Sequence, residues 1–359
     1  CLFRNLYIHK AMIRRLAFLT SLVGILTVTS LCGQDIHFSQ FYMSPLTLNP
    51  ALTGVQNCNT RIVGNYRNQW ASVLGQSAYN TYSVSYDQKM PVGRYDYFGF
   101  GGNVWTDVAG QLDFQTLTLK LSGAYSRRVG GDRKKANYVV VGAEVGASQR
   151  SVSFINAKWP DQNDNGVFNP ILDSHEGILP DNFIFADIGL GGLWFSVIDK
   201  HTNFYFGGAI NHLNQANVSF KSPEVVEKYY TKSVFHAGGE FPLNRSVSLV
   251  PGAVFFKQGP SLEINAGNSF RFNLDNGGAD QSFQFGGWIR LARHFTNPIL
   301  VDAIILSTRF DYSNWGIGFS YDINTSSLSQ GSRGNGGFEF SMVYLVCGPQ
   351  NRGVYCPKF

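Results

Sequence analysis

The run Asp161-Gln162-Asn163-Asp164-Asn165-Gly166 sets oxygen-bearing side chains at alternate positions and ends on a glycine suited to a sharp turn, as a calcium-binding loop does. Such a loop needs a carboxylate at its twelfth position, where Leu172 stands with Asp173 one step late, and no helical pattern flanks it. Asp161, Asn163 and Asn165 are calcium candidates on an incomplete pattern; the alternative is a polar turn rich in Asn and Asp. Cys347 and Cys356 bracket GPQNRGVY and in an oxidising compartment form a candidate disulfide, against two free thiols, with Cys58 left unpaired. His37, His175, His201, His212, His236 and His294 are scattered. No G-x-S-x-G, H-E-x-x-H, Walker loop or paired cysteine clusters of zinc spacing occurs. A serine and a histidine on neighbouring strands remain the one route to catalysis, and the expectation is a protein with no enzymatic activity and no cofactor.

Export is the first constraint on whatever positions these residues. Residues 1–33 carry Arg4, Lys10, Arg14 and Arg15, then an apolar run from Leu16 to Leu31, then Gly33, the layout of a secretory signal peptide. The run falls short of the about 20 apolar residues of a spanning helix, and no other stretch reaches that length. Thr29-Ser30-Leu31-Cys32 only partly fits a lipoprotein box, so Gln34 is the expected mature end.

The segment QDIHFSQFYMSPLTLNPALTG, Gln34 to Gly54, follows directly. Pro45 and Pro50 remove two backbone donors and push Ser44 and Asn49 towards extended geometry, which excludes a regular helix or central strand. Phe38, Phe41, Tyr42, Met43, Leu46, Leu48 and Leu52 form an apolar load that is costly to leave in water. Two readings stay open: an N-terminal plug tucked into the body that follows, or a dedicated docking element.

Beyond it the dominant signal is a two-residue period. Leu117, Leu119, Leu121 and Tyr125 share one face against Thr116, Thr118, Lys120 and Ser122, and Trp315, Ile317, Phe319 and Tyr321 oppose Gly316, Gly318, Ser320 and Asp322. A soluble sandwich alternates too. Runs of about 10–14 residues, long enough to cross a bilayer at a tilt, favour a membrane barrel, as do aromatics near the strand ends. Trp70, Tyr79, Tyr95, Tyr97, Trp105, Tyr125, Trp194, Tyr205, Trp288, Tyr312, Trp315 and Tyr344 are the expected girdle residues. Backbone groups cannot stay unpaired in hydrocarbon, so the sheet has to close on itself. The fold class is therefore all-β, a transmembrane antiparallel β-barrel of about 14 strands with an N-terminal plug-like segment; twelve or sixteen strands are the alternatives, and the run through Pro251 is the least regular. The long connections Asn156–Asn182 and Gln215–Lys232 are placed together on one side.

Composition agrees: 44% hydrophobic, 15% charged and 14% aromatic residues with 39 glycines suit pleated surfaces and tight turns. Four of the 29 basic residues and none of the 24 acidic ones lie in residues 1–33, which leaves about +1 beyond them and argues against nucleic acid as a partner. Lumen-side charges are expected at Asp87, Lys120, Glu144, Glu240, Glu263, Arg309, Asp311, Asp322 and Glu339, a mixed set that suits pairing with a plug better than selecting one sign of ion.

Phe38-Ser39-Gln40-Phe41, Pro45, Leu48-Asn49-Pro50-Ala51 and Gly54, with a looser likeness through the strands to Cys356-Pro357-Lys358-Phe359, resemble the PorP/SprF family of type IX secretion membrane proteins. The resemblance spans most of the chain after the signal. It implies a bacterial outer-membrane barrel that works with type IX secretion components in the export or surface attachment of a large cargo protein, including gliding-motility adhesins in some members. It brings no enzyme activity. The expected partition is 1–33 signal peptide, 34–58 signature or plug segment and 59–359 barrel, with Phe38, Phe41, Pro45, Asn49 and Pro50 as the partner or plug signature and outer-membrane lipid around the barrel. The competing function is an outer-membrane channel for hydrophobic solutes with an N-terminal hatch.

Overall fold

The structure is a computed structural model that describes residues 35–93, 95–131, 135–154, 157–164, 167–169, 171–172, 181–199, 201–220, 226–274, 281–293, 298–326, 329–348 and 356–357. The expected signal peptide, residues 1–33, lies outside the described residues.

Sixteen strands are described: β1 Thr60–Gln69, β2 Tyr79–Val92, β3 Asp96–Ala109, β4 Phe114–Gly130, β5 Ala136–Ser151, β6 Asn163–Asp164, β7 Val167–Phe168, β8 Asn182–Asp199, β9 Thr202–Asn211, β10 Lys232–Pro242, β11 Val247–Gln258, β12 Ser261–Asn273, β13 Gln281–Arg293, β14 Leu300–Tyr312, β15 Trp315–Asn324 and β16 Asn335–Val346. β6 and β7 form a two-residue hairpin inside the connection from β5 to β8. The other fourteen close into a barrel, each antiparallel to its neighbours, with β5 beside β8 and β1 beside β16. The closing seam runs from Thr60 opposite Val346 to Gln69 opposite Gly337.

The alternation resolves as an inside-out pattern. In β4, Thr116, Thr118, Lys120 and Ser122 are buried while Leu117, Leu119 and Leu121 are exposed, Leu119 by 53%. The same inversion places Phe235, Phe285, Ile289, Phe319 and Phe340 outward and His236, Gln284, Arg290, Ser320 and Ser341 inward. An apolar belt this extensive cannot face water in a soluble monomer, so the outer wall is the lipid-facing one. No helix among the described residues is long and apolar enough to cross a membrane.

Two of the expectations need correction. The girdle assignment holds for Trp315, Tyr312 and Tyr125, which are exposed, but Tyr205 packs against inward His236, and Tyr97, Trp105 and Trp288 are buried on the lumen side. Their parity along β3 and β13 decides this: residues two apart share a face, and each of the three shares its face with lumen-facing neighbours such as Asn103 and Arg290. The second correction concerns the disulfide. Cys347 is bonded to Cys58, with the Cα atoms 4.4 Å apart, and Cys356 is a free, buried thiol. The pairing of Thr60 with Val346 brings the residues just outside that pair, Cys58 and Cys347, together across the seam, a proximity that spacing along the chain does not contain.

Pro251 does sit inside a strand. Its partner in β12 is Asn268, but on the β10 side the ladder pairs Gly238 with Gly252 and Phe241 with Leu249 and skips the positions between. A residue without an N–H is tolerated where a ladder bond is already missing.

The two barrel ends differ. At one end the connections are 93–95, 131–135, 200–201, 243–246, 274–280 and 313–314, and β1 starts and β16 finishes there. At the other lie 70–78, 110–113, 152–181, 212–231, 259–260, 294–299 and 325–334, which include the two longest. They are called the short-turn and long-loop ends below.

Candidate functional site: the lumen and its N-terminal strap

Residues 36–59 form a strap inside the lumen, built from single turns. Phe41–Met43 and Pro50–Leu52 are 3-10 turns and Pro45–Leu48 is one turn of α-helix, and each proline occupies the first position of its turn, where a missing N–H costs nothing. Asn49 between the last two is extended, as the residue before a proline should be, and its side chain accepts the Ala51 N–H at 2.8 Å. Phe38, Phe41, Met43, Leu46, Leu48, Leu52 and Val55 are buried, each contributing about 1.5–3 kcal/mol relative to exposure. Phe41, Leu48, Leu52 and Val55 cluster with lumen-facing Ala124, Val140, Leu193, Ala209, Trp288 and Ile305, and Met43 with Val63 and Val343. Phe41 meets Trp288 edge-on at 5.6 Å and Tyr42 stacks on it at 5.4 Å. The core of this protein therefore lies within its barrel.

Asn49 makes the most specific contacts of the five signature residues. Its Nδ2 lies 3.1 Å from the Gly192 carbonyl and 3.2 Å from the Gly208 carbonyl, which accept, and 3.0 Å from His236 Nε2. The backbone comes this close because glycines clear the wall: a Cβ on Gly142 would stand 2.5 Å from the Ala51 nitrogen, and one on Gly191 would overlap Asn49 Oδ1. Pro50 shares that seat, Pro45 starts the one-turn helix before it, Phe41 packs on Trp288 midway along β13, and Phe38 is buried.

Charges fix the strap at both ends. Near the long-loop end, Glu339 accepts the backbone N–H groups of Ser39 at 2.6 Å and Gln40 at 2.9 Å, and the Ser39 hydroxyl donates to Asp322 at 2.9 Å. Arg67 bridges Glu339 at 3.3 Å and Asp322 at 3.4 Å and donates to the His37 carbonyl. Arg290 meets Asp322 at 2.7 Å, Glu263 at 3.6 Å and the Ser39 hydroxyl, and His37 Nε2 lies 3.1 Å from Glu263. Near the short-turn end, fully buried Asp87 accepts the Gly54 N–H at 2.7 Å and a bidentate pair from Arg61 at 2.9 Å each, while Arg61 also donates to the Leu52 carbonyl at 3.1 Å. Bonds to ionised groups inside a protein are stronger than neutral ones, and a buried charge needs such partners to be tolerated.

Further ion pairs occupy the lumen beside the strap. Lys120 pairs with Glu144 at 2.7 Å and Asp187 at 2.8 Å, and Asp187 with His212 at 2.8 Å. Above them the described parts of the connection, residues 212–220 and 226–231, bring Tyr229 inward: it packs on His212 at 4.1 Å and Phe185 at 5.6 Å, and the Arg150 guanidinium stands 4.6 Å from its ring. At the short-turn mouth Cys356 donates its N–H to Asn57 Oδ1 at 2.6 Å, and its sulfur lies 3.8 Å from the Tyr97 hydroxyl.

All the lumen-side charges expected from alternation point inward, Asp311 among them at the rim with Arg309 at 2.8 Å. Arg61, Arg67, Asp187, Arg271 and Arg290 were not singled out, although each shares its face with inward residues such as Val63, Asn65 and Asn265 and was legible by parity. Asp161 lies in the 3-10 turn Pro160–Gln162 and Asn163 in β6, whereas Asn165 lies outside the described residues. Among the described residues no group of three or more His, Cys, Asp or Glu could hold a metal ion.

The sequence model of one protein family, described as type IX secretion system membrane protein PorP/SprF, matches residues 31–344. No curated protein matches the sequence. Among solved structures, CdiB from Acinetobacter baumannii aligns with a TM-score of 0.44 and 9% identity over 80% of this chain and 60% of CdiB, so the chain spans less than two thirds of that protein. The toluene transporter TbuX of Ralstonia pickettii aligns with a TM-score of 0.43 and 11% identity over 84% of this chain and 92% of TbuX.

Proposed function

We propose, from the premise that this chain belongs to the PorP/SprF family of type IX secretion system membrane proteins, that it is a non-enzymatic holder at which a large secreted cargo protein is exported or attached to the cell surface. The family is one of secretion-system membrane components, and the closed barrel with its outward apolar belt makes the chain an outer-membrane β-barrel. Within that frame the strap is the plug of the lumen, and the long-loop end is the surface that meets cargo, an adhesin among the candidates, or another subunit of the apparatus. Binding, with no turnover, is its task.

One observation supports this reading above the others. Among the described residues the inward charges pair with each other and with the strap backbone: Glu339, Asp322, Asp87 and Arg61 all hydrogen-bond to residues 39–54. A hatch for solutes has to leave on each transport event. This strap would have to strand several buried charges to do so, and each such break costs about 3–5 kcal/mol. A scaffold with a fixed lumen has no such requirement.

Replacing Phe41, Asn49 and Pro50 together with alanine tests the role. Cargo at the cell surface should fall while the barrel still reaches the outer membrane; unchanged surface cargo at normal barrel levels would overturn it.

A further inference from the structure

The strap's contacts follow a single direction along the barrel. Ile36 offers its carbonyl to Lys232 Nζ at 3.0 Å, and Lys232 is the first residue of β10, at the long-loop end. His37 sits against Glu263, third in β12, and its ring lies 6.0 Å from that of Phe256, close to the finish of β11; both positions are at that same end. Ser39 and Gln40 bond to Glu339, one turn of ladder inside β16. The Met43 carbonyl accepts from Asn65, midway along β1, and Asn49 reaches the middle of β8 and β9. Gly54 bonds to Asp87 below the middle of β2, the Gln56 carbonyl accepts from Lys89 at 2.7 Å, and Cys58 is bonded to Cys347 just past the end of β16. The strap therefore enters at the long-loop end and leaves at the short-turn end, directly into β1.

Outer-membrane barrels carry their short turns on the periplasmic side and their longer loops outside. We infer that the strap is threaded through the barrel from the outside: its amino end, at Ile36 and His37, is presented at the cell surface, and its carboxy end is fastened on the periplasmic side by the Cys58–Cys347 bond. The amino end is held by non-covalent contacts, those of His37 with Glu263 and Phe256 and that of the Ile36 carbonyl with Lys232, whereas the opposite end is covalent. A partner outside the cell thus reaches the end of the strap that can be lifted, and a periplasmic partner meets the end that cannot. The inference rests on the outer-membrane barrel and is independent of the cargo role.

Epitope insertions in the full-length protein test it. One is placed between Asp35 and Ile36, one after Leu172 in the longest connection, and one between Ser313 and Asn314 in a short turn, and antibody binding is compared on intact and permeabilised cells. The first two should bind on intact cells and the third only after permeabilisation. Should the Asp35–Ile36 epitope bind only after permeabilisation while the Leu172 epitope binds on intact cells, threading is wrong; should the Ser313 epitope alone bind on intact cells, the outward placement is wrong. If the amino-end insertion blocks assembly, Asp35→Cys in a Cys356→Ser background, labelled with a membrane-impermeant maleimide, reads the same distinction: strong labelling of intact cells supports threading, and labelling confined to permeabilised cells defeats it. Loss of the cargo role in the triple-alanine experiment would leave these outcomes untouched.

Discussion

Asp87 joins two parts of the molecule through one carboxylate, because its oxygens take the Gly54 N–H and both arms of Arg61 with no exposure to solvent. Asp87→Asn would leave the guanidinium buried beside a neutral amide, a loss of about 3–5 kcal/mol, and the barrel's unfolding temperature in detergent should drop clearly. Replacing Arg61 as well, in Arg61→Met/Asp87→Leu, should recover part of that loss, since no uncompensated charge remains; a double variant as weak as the single one would refute the assignment. At this scale the sequence was half legible. Asp87 was expected inward from alternation alone, and Asn49 was marked by its place before Pro50. Their partners were not: Asn49 reaches carbonyls 143 and 159 residues away, and only the register of the closed sheet decides which strands stand opposite the strap.

The strands were the most legible elements, and the reason is physical: a wall with lipid on one side and packed polar groups on the other forces a strict two-residue period with no loose register. Fourteen was the expected number and fourteen close the ring. Girdle positions were less legible, because an aromatic near a strand end serves the lumen as well as the membrane rim, and Trp288 and Trp105 went inward. Tyr229, which packs on His212 and Phe185, stands in a connection with no periodic signal to mark its inward turn. The strap's seat depends on absent side chains. Gly142→Val would push a branched side chain against Ala51, at a cost of about 1–3 kcal/mol, without touching any ladder hydrogen bond. The barrel should still assemble, but residues 36–53 should become cleavable by added protease; a strap that stays protected would show that Gly142 is not part of its seat.

For the molecule as a whole, composition and near-neutral charge already pointed away from nucleic acid and towards a mixed-sign interior. What they did not contain was how fully the interior is used. With the strap, the ion pairs and the inward connection occupying the lumen, purified protein in a planar bilayer should pass little current. A variant lacking residues 36–53 should conduct, because the wall charges left behind attract water and ions into the space vacated. Large steady currents through the intact protein would count against a filled lumen.

The sulfur link between Cys58 and Cys347 has one further consequence. It joins positions 289 apart in the chain, so everything between them is a hoop closed by covalent bonds as well as by strand pairing. A single protease nick in any surface connection inside the hoop leaves the two halves tethered, and in denaturant they part only once a reductant is added. For the same reason the first and last staves of this cask cannot part at the end where the sulfurs join them.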